Sequence, residues 1–171
     1  MKLNKTENLD LIDELLEDWK RERPELDATA MMVVGRILNI GRILEKKANE
    51  ALKGYNIHYT DLDVLATLRR SGTPYRLTPT QLRNFVLITS GAMTALLDRL
   101  ERKKLISRSL DPEDGRIKMV NLTENGRLLI DKAIVTRFEE ADSVLKSFKT
   151  KEVEQFSQLL RKLSIAIENP T

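Results

Sequence analysis

The spacing of apolar side chains divides most of the chain into helices and leaves one short alternating segment. Five apolar residues at helical spacing predict a short amphipathic helix that ends before Pro24: Leu9, Ile12, Leu15, Leu16 and Trp19. A second helix follows Asp27, whose carboxylate can cap it, and stops at Gly54 after about seven turns. Because that helix is apolar around much of its circumference, it requires a partner along its whole length.

Two helix starts then follow in close succession. The segment DLDVLATLRR predicts a third helix, which Thr60 can cap. Thr78 at an N-cap position and Pro79 at the first helical position predict a fourth helix. Thr89 or Ser90 begins the next helix, which has a predicted buried stripe of Met93, Leu96, Leu97 and Leu100.

From Leu105 the pattern changes to short alternation, which is typical of strands. LISRSL and IKMVNL flank a turn region rich in Asp, Pro and Gly, and this predicts a β-hairpin with a long loop. Thr123 starts another long helix, and KEVEQFSQLLRKLSIAI forms a final one.

This order of elements predicts a mainly α fold with a small β-hairpin. Two capped helices followed directly by a hairpin are typical of a winged helix-turn-helix. The flanking helices are too apolar for one small winged domain to cover, so we expect them to pair with a second copy. The predicted organisation is an extra helix and first dimerisation helix over 1–56, a DNA-binding region over 57–122, and C-terminal dimerisation helices over 123–171.

The charge is concentrated in one segment of the chain. The net charge is only +3, but residues 69–118 carry eleven basic and five acidic side chains. A solvated basic face and a binding surface for a polyanion both explain this excess. The segment coincides with the predicted winged helix-turn-helix, which favours DNA.

The same composition excludes most enzymatic chemistry. There are no cysteines, so a thiolate metal site is excluded. The one histidine, His58, leaves almost no residues for a transition-metal site or a histidine general acid or base. No phosphate-binding glycine motif occurs, and the carboxylate pairs fall on predicted helix surfaces or a loop. No run approaches the ~18 apolar residues of a membrane helix. We expect a cytoplasmic protein without cofactor, metal, catalytic residues or membrane contact.

Small polar residues at the start of the second helix of the pair point to DNA contact. Ser90, Gly91 and Thr94 lie away from the apolar stripe, where small side chains allow close approach to bases and phosphates. Arg116 at the hairpin tip is suited to a narrow minor groove, and Asp114 is placed to orient its guanidinium. With the cap residue Thr78, these form the predicted DNA-binding set.

The stretch from Thr78 to Gly126 resembles the winged-helix core of MarR-type bacterial transcriptional regulators. The resemblance rests on the hairpin and the helix start after it: Asp111, Pro112, Asp114, Arg116, Leu122, Thr123, Glu124 and Gly126. It implies a homodimer that binds a palindromic operator in double-stranded DNA and loses affinity when a small aromatic anion binds. Lys104 stands where the family usually has glycine, which suggests either a tolerated left-handed lysine or a modified turn. Gly115 replaces a frequent arginine, which removes one phosphate contact.

DWKRERPELD and the region around DLDVLATLRR resemble the PecS/HucR branch, which carries an extra N-terminal helix and responds to urate. The resemblance implies a ligand site at Trp19, Asp63 and Arg108, with an Asp63–Arg108 pair that an anion disrupts. Leu96 stands where that branch has a further ligand-binding arginine. The residues alone favour a core tryptophan and a structural ion pair, and only the resemblance brings the ligand site level with that interpretation.

The expected function is therefore a ligand-responsive regulator, most simply a repressor released by urate or a phenolic compound. A ligand-insensitive or architectural DNA-binding protein on the same fold is the alternative. A winged-helix protein-interaction module is a third reading, which the basic segment disfavours.

Overall fold

The computed structural model describes residues 9–86 and 90–169, and within the helix that follows the gap the side chains of residues 90 and 91 are also outside the description. The chain divides into two compact units, Met1–Lys47 and Ala48–Thr171. Within the described ranges, none of the helices combines the length and apolar character that a bilayer crossing requires.

The first unit contains α1 (Leu11–Glu22) and most of α2 (Thr29–Ala51). Asp10 caps α1 by accepting hydrogen bonds from the backbone N–H groups of Ile12 (2.8 Å) and Asp13 (3.0 Å). Arg36 of α2 binds both Asp10 (2.8 Å) and Asp13 (2.6 Å), so one guanidinium joins the two helices. Asp27 accepts from the backbone N–H of Thr29 (2.9 Å), which confirms its predicted role at the start of α2.

The second unit carries the predicted hairpin and its neighbouring helices. After a short 3₁₀ helix its elements are α3 (Tyr59–Arg70), β1 (Arg76–Leu77), α4 (Pro79–Phe85), α5 (Ser90–Arg102), β2 (Ile106–Leu110), β3 (Lys118–Leu122), α6 (Glu124–Leu145) and α7 (Thr150–Glu168). The strands form an antiparallel sheet in the order β1-β3-β2. One hydrophobic core underlies α3, α5, α6 and the sheet, and its most buried side chains include Leu65, Leu68, Leu100, Ile106 and Ile130.

Most predicted helix starts are confirmed, because their signals are local. Thr78 caps α4 by accepting from the backbone N–H of Gln81 (3.1 Å), and Thr123 caps α6 through that of Gly126 (3.0 Å). The predicted cap at Thr60 is wrong: α3 begins at Tyr59 with His58 as its N-cap residue. The predicted cap of α5 at Thr89 or Ser90 lies outside the described residues.

Strand β1 and the end of α2 also differ from the sequence prediction. β1 has only two residues, Arg76 and Leu77, too few for an alternating pattern to be recognised. The second helix ends at Ala51, and Gly54 lies in the 3₁₀ helix Lys53–Tyr55 that follows.

The start of the hairpin is fixed by close backbone packing. Lys104 has a φ of +58°, which confirms the expected left-handed lysine. The carbonyl of Leu105 accepts from the backbone N–H of Thr123 (3.1 Å), and the Thr123 hydroxyl donates to the carbonyl of Lys104 (2.8 Å). A Cβ at Gly126 would lie 2.0 Å from the Leu105 oxygen, so only glycine permits this approach.

Candidate nucleic-acid interface

The tip of the hairpin, residues 111–117, is an ordered loop closed by two carboxylates. Asp111 accepts from the backbone N–H groups of Glu113 (2.9 Å) and Asp114 (3.2 Å). The Asp114 carboxylate accepts from the backbone N–H of Arg116 (3.0 Å), and the backbone N–H of Asp111 donates to the carbonyl of Ile117 (2.8 Å). The bond from Glu113, followed by that from Asp114, lowers the pKa of Asp111 below its ordinary range.

This loop leaves the Arg116 side chain exposed at the tip. Asp114 was expected to orient the guanidinium, but its carboxylate binds the backbone N–H of Arg116 instead. Among the residues that the structure describes, no ion pair engages Arg116. The tip therefore holds the backbone rigid and leaves the arginine charge available to a partner.

Helix α5 presents its apolar stripe inward, as predicted. Met93, Leu96, Leu97 and Leu100 are all buried, whereas Thr94 and Asp98 are exposed. The side chains of Ser90 and Gly91 lie outside the described residues, so their predicted place in the DNA-binding set stays a prediction. Thr78 is half-buried, and its hydroxyl caps α4.

A buried ion pair that the sequence did not indicate joins α5 to α3. Asp61 is fully buried (0% exposed), and its Oδ1 accepts from Arg99 Nε (3.0 Å) and Nη2 (2.6 Å). Its Oδ2 accepts from the backbone N–H of His58 (3.0 Å). The two residues are 38 positions apart in the chain, so no helical spacing rule connects them.

Arg108 of β2, which belongs to the predicted ligand set, also binds α5. Its guanidinium contacts Asp98 (2.6 Å) and Glu101 (3.4 Å), and its backbone N–H donates to Glu101 (3.2 Å). Arg108 thus forms ion pairs with two carboxylates of α5, and the expected Asp63–Arg108 pair stays a prediction. Asp63 is half-buried on α3.

Trp19, the third predicted ligand residue, lies in the first unit and is 57% exposed. It lines an apolar pocket of about 460 Å³ between α1 and α2. Leu15, Leu16 and Met31 contribute further apolar surface, and Asp27 is the charged residue of the lining. An indole face beside aliphatic walls suits a planar aromatic group.

The basic side chains of residues 69–118 differ in whether an ion pair within the protein engages them. Arg69, Arg99 and Arg108 form ion pairs within the protein, the first with Asp131 (2.7 Å). Another six are exposed and have no ion pair among the described residues: Arg70, Arg83, Arg102, Lys104, Arg116 and Lys118. The positive charge available to a polyanion is therefore carried by the end of α3, α4, the end of α5 and the hairpin.

Comparison with known proteins relates these features to one family. Residues 55–117 match the MarR family. PecS, an HTH-type transcriptional regulator of Dickeya dadantii (strain 3937), is 28% identical over 158 residues, which cover 92% of this chain and 95% of PecS.

Solved structures have the same fold. A mutant MarR from E. coli complexed with operator DNA superposes with a TM-score of 0.70 and 25% identity, covering 81% of this chain and 99% of that one. BpsR of Bordetella bronchiseptica, whose DNA binding is regulated by 6-hydroxynicotinic acid, has a TM-score of 0.70 and 22% identity over 77% of this chain and 92% of its own. With its winged helix-turn-helix, basic surface and wing-tip arginine, the chain is similar to the DNA-binding transcriptional regulators of the MarR family.

Proposed function

We propose that the chain works in the cytoplasm as a homodimeric repressor that binds a palindromic operator until a small aromatic anion releases it. The observation that carries the DNA-reading part is the wing tip. Its backbone is held by Asp111 and Asp114, while the Arg116 guanidinium is exposed and unpaired among the described residues. A preorganised arginine on a narrow hairpin fits the negative potential of a minor groove.

Dimerisation is supported by helices that a single chain leaves uncovered. No residue of α7, all of which the structure describes, is buried. Its exposed apolar side chains include Phe156, Leu159 and Ile165, and α6 adds Val135 and Phe138. Exposed apolar side chains repeated along a helix are typical of a protein–protein interface, and a second copy supplies the matching surface under two-fold symmetry.

A two-fold dimer sets the geometry of DNA binding. Each α5 enters a major groove with Ser90, Gly91 and Thr94 towards the bases, and each Arg116 reaches an adjacent minor groove. The exposed cations of α4, α5 and the hairpin contact phosphates. Half-sites about 10 bp apart then lie on one face of the duplex.

Selection from a pool of random duplexes tests this function. We expect the full chain to enrich an inverted repeat with half-sites about 10 bp apart, and its affinity to fall steeply with added salt. Failure to enrich any sequence would contradict the proposal and favour a protein-interaction module. Enrichment of a single unrepeated half-site would contradict the dimer.

We propose an aromatic anion as effector, with Trp19, Asp63 and Arg108 as the residues that respond to it. The Trp19 pocket offers an apolar surface for the ring in the first unit. In the second unit, Arg108 is a cation held by exposed carboxylates, which an anion can displace. The regulation of BpsR by 6-hydroxynicotinic acid is a precedent on the same fold. Leu96 is buried in the core and offers no polar contact, so urate would have one fewer binding residue here than in the PecS/HucR branch.

Titration of urate, salicylate and 6-hydroxynicotinate into the operator complex tests the effector. We expect at least one of them to release DNA and to quench the fluorescence of Trp19, the only tryptophan. Trp19→Phe is the matched variant, which keeps an aromatic ring but removes the reporter. Operator binding that is insensitive to every anion would favour a ligand-independent DNA-binding protein.

A further inference from the structure

We propose that Asp61 and Arg99 are positioning residues that fix the setting of α5 against α3 and thereby determine operator specificity. This inference rests on the proposed reading of DNA by α5. It assigns a function to a pair that itself lies away from the exposed face of the helix.

The pair is a closed hydrogen-bonding unit. Asp61 uses one oxygen for both Nε and Nη2 of Arg99 and the other for the backbone N–H of His58. Its carboxylate is fully buried, while the Arg99 side chain is about one-third exposed (34%). A buried carboxylate is tolerated only with such complete pairing, so Arg99 is confined to one position.

Apolar packing alone does not fix a helix in this way. The stripe of Met93, Leu96, Leu97 and Leu100 stabilises α5 against the core, but apolar contact has no preferred direction. A guanidinium that donates two bonds to one carboxylate has a narrow geometry. We therefore assign stability to the stripe and orientation to the ion pair.

The position of Arg99 along the helix makes this orientation important. Ser90 lies nine residues before Arg99, about 14 Å along the helix axis. A tilt of about 10° at Arg99 displaces the start of the helix by about 2 Å, which is enough to misalign hydrogen bonds to base edges.

The neighbouring residue fixes the same helix to the wing. Asp98 binds Arg108 of β2 at 2.6 Å, and Glu101 adds a second contact at 3.4 Å. Adjacent residues of α5 thus connect to different elements, Asp98 to the wing and Arg99 to α3. The buried pair is the stronger constraint, because exposed ion pairs are screened by water and salt.

The test compares two arginine removals on the same helix. Arg99→Met breaks the pair, and Arg102→Met removes an equal charge from an exposed position three residues later. Affinity is measured for the selected operator and for a scrambled duplex of equal length, across a range of salt concentrations. Arg99→Lys keeps the charge but loses the planar fork, so it serves as the conservative variant.

We expect Arg99→Met to lose operator affinity by about tenfold or more, comparable with one mismatched base pair. Scrambled-duplex affinity and the salt slope should stay near the wild-type values, whereas Arg102→Met should weaken binding to both duplexes and reduce the slope, and Arg99→Lys should recover part of the specific loss. Equal losses on both duplexes, with a salt slope as shallow as that of Arg102→Met, would identify Arg99 as a phosphate contact and overturn the inference. Unchanged operator affinity would also overturn it.

A second variant separates positioning from stability. Asp61→Leu with Arg99→Met replaces the pair by apolar side chains, a change that often preserves stability. We expect this protein to melt near the wild-type temperature while its preference for the operator over the scrambled duplex is lost. A stable double variant with wild-type preference would overturn this inference alone, whereas a wild-type chain that selects no operator would overturn it together with the proposed function.

Discussion

The base and the tip of the hairpin use their charged residues in opposite ways. At the base, Arg108 is held by Asp98 and Glu101, and the backbone of Leu105 packs directly on Gly126. At the tip, the carboxylates bind backbone N–H groups, and the Arg116 guanidinium has no ion pair among the described residues.

This difference shows how one hairpin can be fixed to the protein at its base and still present a charged side chain to a binding partner at its tip. Side-chain pairs at the base satisfy the arginine inside the protein, so that charge contributes to structure. At the tip, the carboxylates of Asp111 and Asp114 accept hydrogen bonds from the backbone of the turn and form no ion pair with Arg116. Two arginines eight residues apart therefore have different predicted functions.

The largest effect is expected from Arg116→Ala. Loss of a groove-inserted arginine should weaken operator binding about 10- to 100-fold, since a specific contact of this kind contributes about 1–3 kcal/mol. The melting temperature should stay unchanged, because the side chain is exposed and forms no ion pair within the described residues. A gel shift measures the affinity, and Arg161→Ala on α7 is the charge-matched control. Equal losses for the two variants would show that only net charge is sensed.

At the base, Gly126→Ala should damage the fold instead. The new Cβ would meet the Leu105 oxygen at 2.0 Å, and overpacking of this kind costs about 1–3 kcal/mol. The better helix propensity of alanine offsets about 1 kcal/mol of this cost, so we expect a net loss of about 1 kcal/mol in urea denaturation. Gly115→Ala at the tip has open space around it and should be neutral. A neutral Gly126→Ala would show that the base is more adaptable than its packing implies.

The sequence predicted what depends on neighbouring residues. Thr78 with Pro79, Thr123 before its helix and the turn residues around Asp111 each act within a few positions, and the structure has each element in place. The left-handed Lys104 was inferred from a family glycine, and it has the expected positive φ.

Pairings between distant elements were not predictable in the same way. Asp61 and Asp63 both lie in the first half of α3, and only the packed structure shows that Asp61 faces inward to Arg99. Arg108 was assigned to Asp63 by resemblance, and its contacts with Asp98 and Glu101 of the helix just before the hairpin were not predicted. Partner choice depends on helix rotation and hairpin placement, neither of which has a local signature.

A smaller effect should distinguish Arg108 from Arg116 by their contributions to the free energy of unfolding. Arg108→Gln removes the cation between Asp98 and Glu101, and partly exposed ion pairs contribute about 0.2–1 kcal/mol each. We expect a loss of about 1 kcal/mol in urea denaturation, reduced at high salt. Arg116→Gln should cost nothing in the same measurement. If Arg116→Gln lost more stability than Arg108→Gln, Arg116 would be the structural arginine and Arg108 the one free to bind a partner.

The smallest effect is the acid response of the tip. The N–H groups of Glu113 and Asp114 stabilise the ionised Asp111, so its folded pKa lies below its ordinary value of 3.8. The contribution to loop stability is complete above that value and is lost as the pH falls through the folded pKa. An NMR titration should therefore show the amide signals of Glu113 and Asp114 constant down to about pH 4, then shifting together with the Asp111 carboxyl. Asp111→Asn should abolish this joint shift, and a carboxyl that titrates at or above 3.8 would mean that the turn does not hold the tip in solution.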